Sequence, residues 1–410
     1  MIGGLGKGNC EDSSGPTGSG GAGTFGGAAT PATPHVRALY VHIPFCLAKC
    51  RYCDFYSRTM DPGSAGEYPT AAIKELFLRG ACLDRPVASA FVGGGTPTVL
   101  GADLLDRLLA AIVPLAGEDT EFSVEANPGT LDGLVVEVLA ARGVNRVNLG
   151  VQSFDDSELR MLGRIHDAAV ARAAVAMLRQ AGLANVGIDL IYGIPGQTMA
   201  SWRRSISEAV GLGIEHLSCY ALSFEEHTPL WEDLRSGRVA QMDETLQRDC
   251  YYAAIEAAAA AGLRHYEISN FARPGRECRH NVSYWRNEPY LGIGPGAASY
   301  VAGERRTNSP DLRAYADSLA AGKPPPATSE RLIGRALMAE TLMLGLRMID
   351  GVSRAEFAQR FGPDPVDAFP RAFDRYARHG AVVITPDAVH IAREALFVAD
   401  TILADILAEA

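Results

Sequence analysis

From residue 37 onward, short apolar runs alternate with longer stretches whose apolar residues recur every three or four positions. The runs at 39–43, 89–93, 121–126, 146–151, 186–191 and 216–222 have the length and branched apolar content of buried strands. Helical periodicity fills the intervals at 72–82, 102–115, 131–141, 168–181 and 201–212, and another such stretch, 243–261, follows the last strand. Strand–helix alternation predicts a parallel sheet with right-handed crossovers, because a strand can rejoin its neighbour in parallel only through a crossover. The fold class expected is α/β. Six units in one run predict a partial (β/α)6 TIM-like barrel, with a doubly wound open sheet as the alternative. A further strand at 264–268 would close or extend the edge.

The rhythm is absent at two places. Residues 1–35 are mostly Gly, Ser, Thr, Ala and Pro, a composition that cannot bury enough surface to offset its ordering entropy, so a disordered tail is expected. Residues 273–303 are rich in Gly and aromatics and read as a loop and turn packed over the barrel mouth. A helix is expected at 310–319, with Ser309 as N-cap and Pro310 in the first turn. The Pro-rich run 322–327 reads as a stiff linker. Helices at 331–344, 354–361 and 365–379, a hairpin at 381–391 about Pro386 and Asp387, and a last helix at 394–407 make a small α+β, winged-helix-like unit. The expected partition is therefore a tail (1–35), a barrel (36–305), a linker (306–327) and a C-terminal domain (328–410).

Placing the polar and Gly-rich features on these elements brings them to one end of the barrel. Cys46 follows the first strand, Gly93-Gly94-Gly95-Thr96-Pro97 ends the second, Glu125 the third and Gln152 the fourth; Asp189 lies on the fifth, before Tyr192-Gly193-Ile194-Pro195-Gly196. The C-terminal ends of barrel strands carry the active site. Cys46, Cys50 and Cys53 are spaced so that one loop can wrap a metal group. A four-iron cluster on three thiolates keeps one iron open, whereas a zinc knuckle would need completion by His42 or a distant cysteine. The glycines either make a turn or let backbone approach a ligand. Asp189, in the apolar strand 187–191, costs free energy unless paired. It is either in a structural ion pair with Arg164 or turned toward a ligand with ammonium, carboxylate and ribose groups. His280-Asn281-Val282-Ser283-Tyr284-Trp285 is either a packed aromatic turn or an axial ligand beside the seat of a flat macrocycle.

Composition narrows the function classes. A net charge of −10 argues against non-specific nucleic-acid binding, for which an excess of cations is needed. Five of the eight cysteines are scattered outside the triplet, an inventory that fits a reducing, cytoplasmic setting without disulfides. No secretory leader and no membrane-spanning run is expected, which leaves peripheral membrane contact and a homodimer open.

The stretch Tyr40-Val41-His42-Ile43-Pro44-Phe45-Cys46-x3-Cys50-x-Tyr52-Cys53 resembles the cluster motif of radical S-adenosylmethionine (SAM) proteins, and more narrowly the oxygen-independent coproporphyrinogen III dehydrogenase (HemN)-like family. The likeness runs from about residue 39 to the C-terminus. The dehydrogenase branch carries a fourth cysteine two residues after the third, where this chain has Phe55. Cys53-Asp54-Phe55 and the His280 motif are similar to the HemW branch of heme chaperones. The resemblance implies that Cys46, Cys50 and Cys53 ligate a [4Fe–4S] cluster. It implies that Tyr40, Tyr52, Gly94, Gly95, Thr96, Glu125, Gln152, Arg164 and Asp189 contact SAM, and that His280 binds heme. A bidentate guanidinium suits Arg164 to a carboxylate; Glu125 suits an ammonium, and Asp189 ribose hydroxyls. The function implied is binding heme and delivering it to an acceptor hemoprotein, such as one of the respiratory chain. Radical decarboxylation of coproporphyrinogen III is the alternative, not expected without the fourth cysteine; whether SAM is cleaved is left open. A third reading, of a regulatory protein whose C-terminal unit binds nucleic acid or a partner, requires a basic recognition helix, which 365–379 supplies poorly.

Overall fold

In a computed structural model of the chain, residues 35–410 are described. The expected Gly-rich tail, apart from its last residue, and Cys10 lie outside them. β1 (Ala38–Ile43) leads into a loop closed at its base by the parallel pairing of β2 (Phe45–Cys46) with β3 (Arg58–Thr59). α1 (Pro62–Arg79) follows, then β4 (Ser89–Gly94), α2 (Gly101–Ile112), β5 (Glu121–Ala126), α3 (Gly133–Ala141) and β6 (Arg146–Gln152). The run continues through α4 (Asp156–Leu162), α5 (Ala168–Gln180), β7 (Val186–Tyr192), α6 (Met199–Gly211) and β8 (His216–Ala221). β1, β4, β5, β6, β7 and β8 are neighbours in that order and all parallel, as the alternation predicts.

β6 shows why the strands read as they do. Val147, Leu149 and Val151 are fully buried, while Arg146, Asn148, Gly150 and Gln152 alternate with them. Opposite faces of a strand meet different surroundings. One set packs on the helices, where each large aliphatic side chain contributes about 1.5–3 kcal/mol. The other set faces the lumen and is free to carry chemistry.

α1 begins ten residues before its predicted start. Asp61 caps it, accepting from the amides of Gly63 and Ser64, and Pro62 sits in its first turn, where no N–H is needed. Gly63, Gly66 and Pro69 read as breakers in the sequence, yet the helix carries them because its inner face, including Tyr68, Ala72 and Leu76, is buried. α4, α7 (Pro229–Arg235) and α9 (Arg279–Trp285) were not expected; each has only seven residues, too few for a clear period. α8 (Glu244–Ala260) matches its expected place. β9 (Arg264–Glu267) and β10 (Asn270–Ala272) extend the β8 edge as an antiparallel pair and do not close the barrel.

The other edge overturns two expectations. β11 (Tyr290–Ile293) pairs in parallel with β1, and β12 (Ala298–Val301), β13 (Glu304–Asn308) and β14 (Ala327–Glu330) continue outward antiparallel. Residues 306–327 are therefore no linker: they contain most of β13, α10 (Leu312–Ala320) and the start of β14. The cap of α10 is Asp311, which accepts from Arg313 and Ala314, rather than Ser309. Glu75 of α1 ties this extension to the barrel. Its fully buried carboxylate accepts from Gly294 N, Asn308 Nδ2 and Tyr315 OH, each at 2.8 Å, and pairs with Arg79 at 2.6 Å. A buried charge persists only with such complete pairing.

The C-terminal unit comprises α11 (Gly334–Gly345), β15 (Val352–Ser353), α12 (Arg354–Phe361), α13 (Pro365–Ala368), α14 (Pro370–Arg378), the hairpin β16 (Val382–Ile384) and β17 (Ala388–Ile391), and α15 (Ala399–Ala408). Pro370 splits the expected helix 365–379, since it supplies no N–H to continue the ladder. Arg371, Arg375 and Arg378 pair with Glu409, Asp405 and Asp374, so α14 offers no unpaired basic face of the kind the nucleic-acid reading requires.

Candidate functional site

The cysteine loop is held by backbone. Gly95 N donates to Ile43 O and Thr96 N to Phe45 O, both at 2.7 Å, so the β4 turn clamps the start of the loop. A Cβ on Gly95 would lie 2.4 Å from Phe45 O, and one on Gly94, at φ +103°, 2.4 Å from the His42 ring. These glycines are needed for close packing of the β4 turn against Phe45 and His42. Arg51 fixes the far side: its amide bonds Leu162 O at 3.0 Å, its carbonyl accepts from Leu230 N at 2.9 Å, and its guanidinium meets Asp233.

Cys46, Cys50 and Cys53 line one cavity of about 300 Å3 at the C-terminal end of the strands. Thr96 Oγ1 lies 3.6 Å from Cys46 Sγ, and Arg164 Nη1 3.1 Å from Cys50 Sγ. Among the described residues no three His, Cys, Asp or Glu side chains stand close enough to hold a single ion. The three thiols share the wall of one cavity.

Tyr52, Gly94, Gly95, Thr96, Glu125, Gln152, Arg164 and Asp189 line the same cavity. Gln152 has φ +73° at a register shift in β6, a strand-end irregularity that re-aims its side chain. Burial, then the neighbouring charge of Asp189, raises Glu125 to about 7; its Oε2 accepts from Gly94 N at 3.0 Å. Burial also raises Asp189, which accepts from Asn148 Nδ2 at 2.9 Å. Arg164 turns to Cys50 and Gly150 O, so no Asp189–Arg164 ion pair forms. Arg164 Nε and Asn148 Oδ1 are buried without a partner among the described residues, atoms that a polar ligand would satisfy.

Tyr40 is the exception. It does not line the cavity; its hydroxyl bonds His42 Nδ1 at 2.9 Å and its ring packs beneath, toward Phe91 and His280. Sequence reasoning missed Asn148, Tyr220, Leu222 and Glu225, which complete the wall. The polar alternation of β6 was a signal for Asn148; the β8 end has no motif.

The segment 273–303 divides between the two ends. Its turn at 294–296 reaches the mouth, where Gly296 abuts Tyr56 of the cysteine loop. α9, formed from part of the segment expected as a loop at the mouth, instead plugs the floor, against the first residues of β4 and β5. His280 is 1% exposed. Its Nδ1 meets Ser89 Oγ and its Nε2 Tyr284 OH, both at 2.9 Å, and its ring stacks on Phe91 at 5.1 Å. Burial lowers its pKa to about 3. The packed aromatic turn describes its place in this conformation, because neither ring nitrogen faces open space.

Residues 40–209 match the radical SAM superfamily and 334–398 the HemN C-terminal domain. The heme chaperone HemW of Bacillus subtilis is 32% identical over 378 residues, spanning 91% of this chain and all of the relative. The chain belongs to the HemW family. The Lactococcus lactis heme chaperone HemW is 38% identical over 79% of this chain and 85% of its own length. Among solved structures, the Escherichia coli coproporphyrinogen III oxidase HemN, described as a radical SAM enzyme, superposes with a TM-score of 0.78 at 22% identity, covering 92% of this chain and 91% of that one. That likeness establishes a shared fold, with its partial barrel and C-terminal domain. Radical SAM membership implies a [4Fe–4S] cluster and SAM, and the thiols, the glycine cradle and the unpartnered Arg164 and Asn148 atoms of this HemW-family chain fit both.

Proposed function

We propose that this chain is a heme chaperone, which binds heme and passes it to an apo-hemoprotein. What carries the reading is the end-to-end relation to a protein named heme chaperone, joined to Phe55 on the cavity wall where the dehydrogenase branch has a fourth thiol. Cys46, Cys50 and Cys53 hold the [4Fe–4S] cluster, which when bound supplies an iron with an open position. Thr96 and Arg164 hydrogen-bond Cys46 and Cys50, an arrangement that stabilises thiolate charge. Glu125 takes the amino group of SAM, Asp189 its ribose hydroxyls, and Arg164 Nε is left to take its carboxylate. His280 serves heme. The setting is the cytoplasm, with the acceptor in the respiratory chain. No helix among the described residues is long and apolar enough to cross a membrane.

The test is anaerobic reconstitution, heme titration followed by absorbance, and transfer to an apo-hemoprotein. Saturable binding and transfer are expected, with both reduced in His280→Ala. Formation of protoporphyrinogen from coproporphyrinogen III would overturn the reading in favour of the dehydrogenase.

A further inference from the structure

Both nitrogens of His280 are occupied and its ring is enclosed, so the residue assigned to heme is sealed in the barrel floor. We propose that α9 is a latch: heme reaches His280 only when the N-terminal end of α9 lifts from the floor, and the buried Glu121–Arg146 pair is the catch that holds it down. The inference rests on the chaperone reading and on His280 serving heme.

An iron ligand needs a ring nitrogen with its lone pair free, and a macrocycle needs open space along that direction. Here Nδ1 points into Ser89 at the start of β4, and Nε2 into Tyr284 one turn along the same helix. Phe91 covers one ring face, and the Tyr284 ring stands edge-on at 4.8 Å. Tyr284 travels with α9 whereas Ser89 stays on β4, so lifting the helix frees Nδ1.

The helix is held down mainly by polar groups at this end. Glu121 accepts from the amides of Arg279 and His280, both at 3.2 Å, and from the Cys278 thiol at 3.6 Å. Arg146 lies 4.0 Å from Glu121 and donates to Arg276 O at 2.9 Å. The catch is incompletely satisfied: Arg146 is 1% exposed, and its Nε has no partner among the described residues. Seven residues do not form a stable helix without tertiary support. The other end is anchored to the C-terminal unit: Asn287 bonds Thr341 and Glu340, and Arg347 lies over the Trp285 ring at 4.9 Å. Release at Glu121 would thus swing α9 about its C-terminal end and carry His280 outward.

The experiment uses the full chain, cluster-loaded, with iron protoporphyrin IX as the probe. Glu121→Gln keeps the shape and weakens the catch. Since uptake scales with the fraction of open molecules, heme should bind about tenfold faster, ending in the same absorbance spectrum as the parent. Ser89→Ala removes the floor partner of Nδ1 without touching Glu121 and should also accelerate uptake, which keeps the test valid where Glu121→Gln does not fold. Amide exchange over 279–285 should accelerate in Glu121→Gln, and in the parent once heme is bound. Parent-like heme uptake in both variants, or full amide protection of α9 in the heme-loaded parent, would overturn the latch. Equal heme binding by the parent and His280→Ala would overturn the latch alone and leave the chaperone reading standing; a parent that takes up no heme would overturn that reading itself.

Discussion

The two ends of the barrel are built from the same strands and solve opposite problems. At the mouth, Gly94, Gly95 and Gly150 bring backbone close while thiols, carboxyls and a guanidinium turn toward a cavity. At the floor, the first residues of β4, β5, β6 and β8 turn Ser89, Glu121, Arg146 and His216 inward; α9 covers the first two and the turn before it bonds Arg146. Among the described residues each end holds orphaned buried atoms, Arg164 Nε and Asn148 Oδ1 at the mouth and Arg146 Nε and His216 Nδ1 at the floor, but those at the mouth belong to residues that line a cavity. A column of rings joins them: His280 on Phe91, Phe91 toward Tyr40, Tyr40 bonded to His42, and His42 stacked on Tyr56 at 5.7 Å. Family-assigned residues thus lie at both ends, and only those at the mouth stand open.

The largest effect that would test this division is at the thiols. Cys50→Ser should abolish cluster retention, read as iron and sulfide per chain, while the floor keeps its amide protection. Loss of protection at 279–285 in that variant would break the separation. Next, Trp285→Ala removes a buried side chain that joins the floor to the C-terminal unit, and should cost about 3–5 kcal/mol in denaturant unfolding. Its iron content and SAM affinity should stay at parent levels if the mouth is independent.

The two ends should also respond to pH with opposite sign. A carboxyl raised from 4.5 to about 7, as Glu125 is, keeps its proton in the folded state after the unfolded chain has lost it. Folding stability from this group is then lost as pH rises from about 4.5 to 7, by up to about 3 kcal/mol. Glu125→Gln should flatten that decline in the ligand-free protein. His280, lowered to about 3 by burial, works the other way: the unfolded chain takes up a proton below 6.5 and the folded one does not. Stability is lost as pH falls from about 6.5 toward 3, and His280→Gln should blunt that loss. The check is unfolding free energy against pH for the parent and both variants; equal pH slopes in all three would show that these groups do not carry the contrast.

The sequence by itself determined the parallel β/α sheet, because strand and helix periods persist over whole elements and each crossover dictates the next placement. It also determined the mouth: Cys46, Gly94, Glu125, Gln152 and Asp189 lie at or near successive strand ends, and topology brings those ends together. Tertiary structure alone decided three things. Pro69 and two glycines were carried inside α1 because a buried face outweighs weak local propensity. Residues 306–327 became sheet edge and helix because β14 found β13, a pairing set by backbone hydrogen bonds that composition does not announce. And the His280 motif went to the floor instead of the mouth. Its aromatic residues suit either end, and only the seating of α9 amides on Glu121, more than 150 positions earlier in the chain, chose between them.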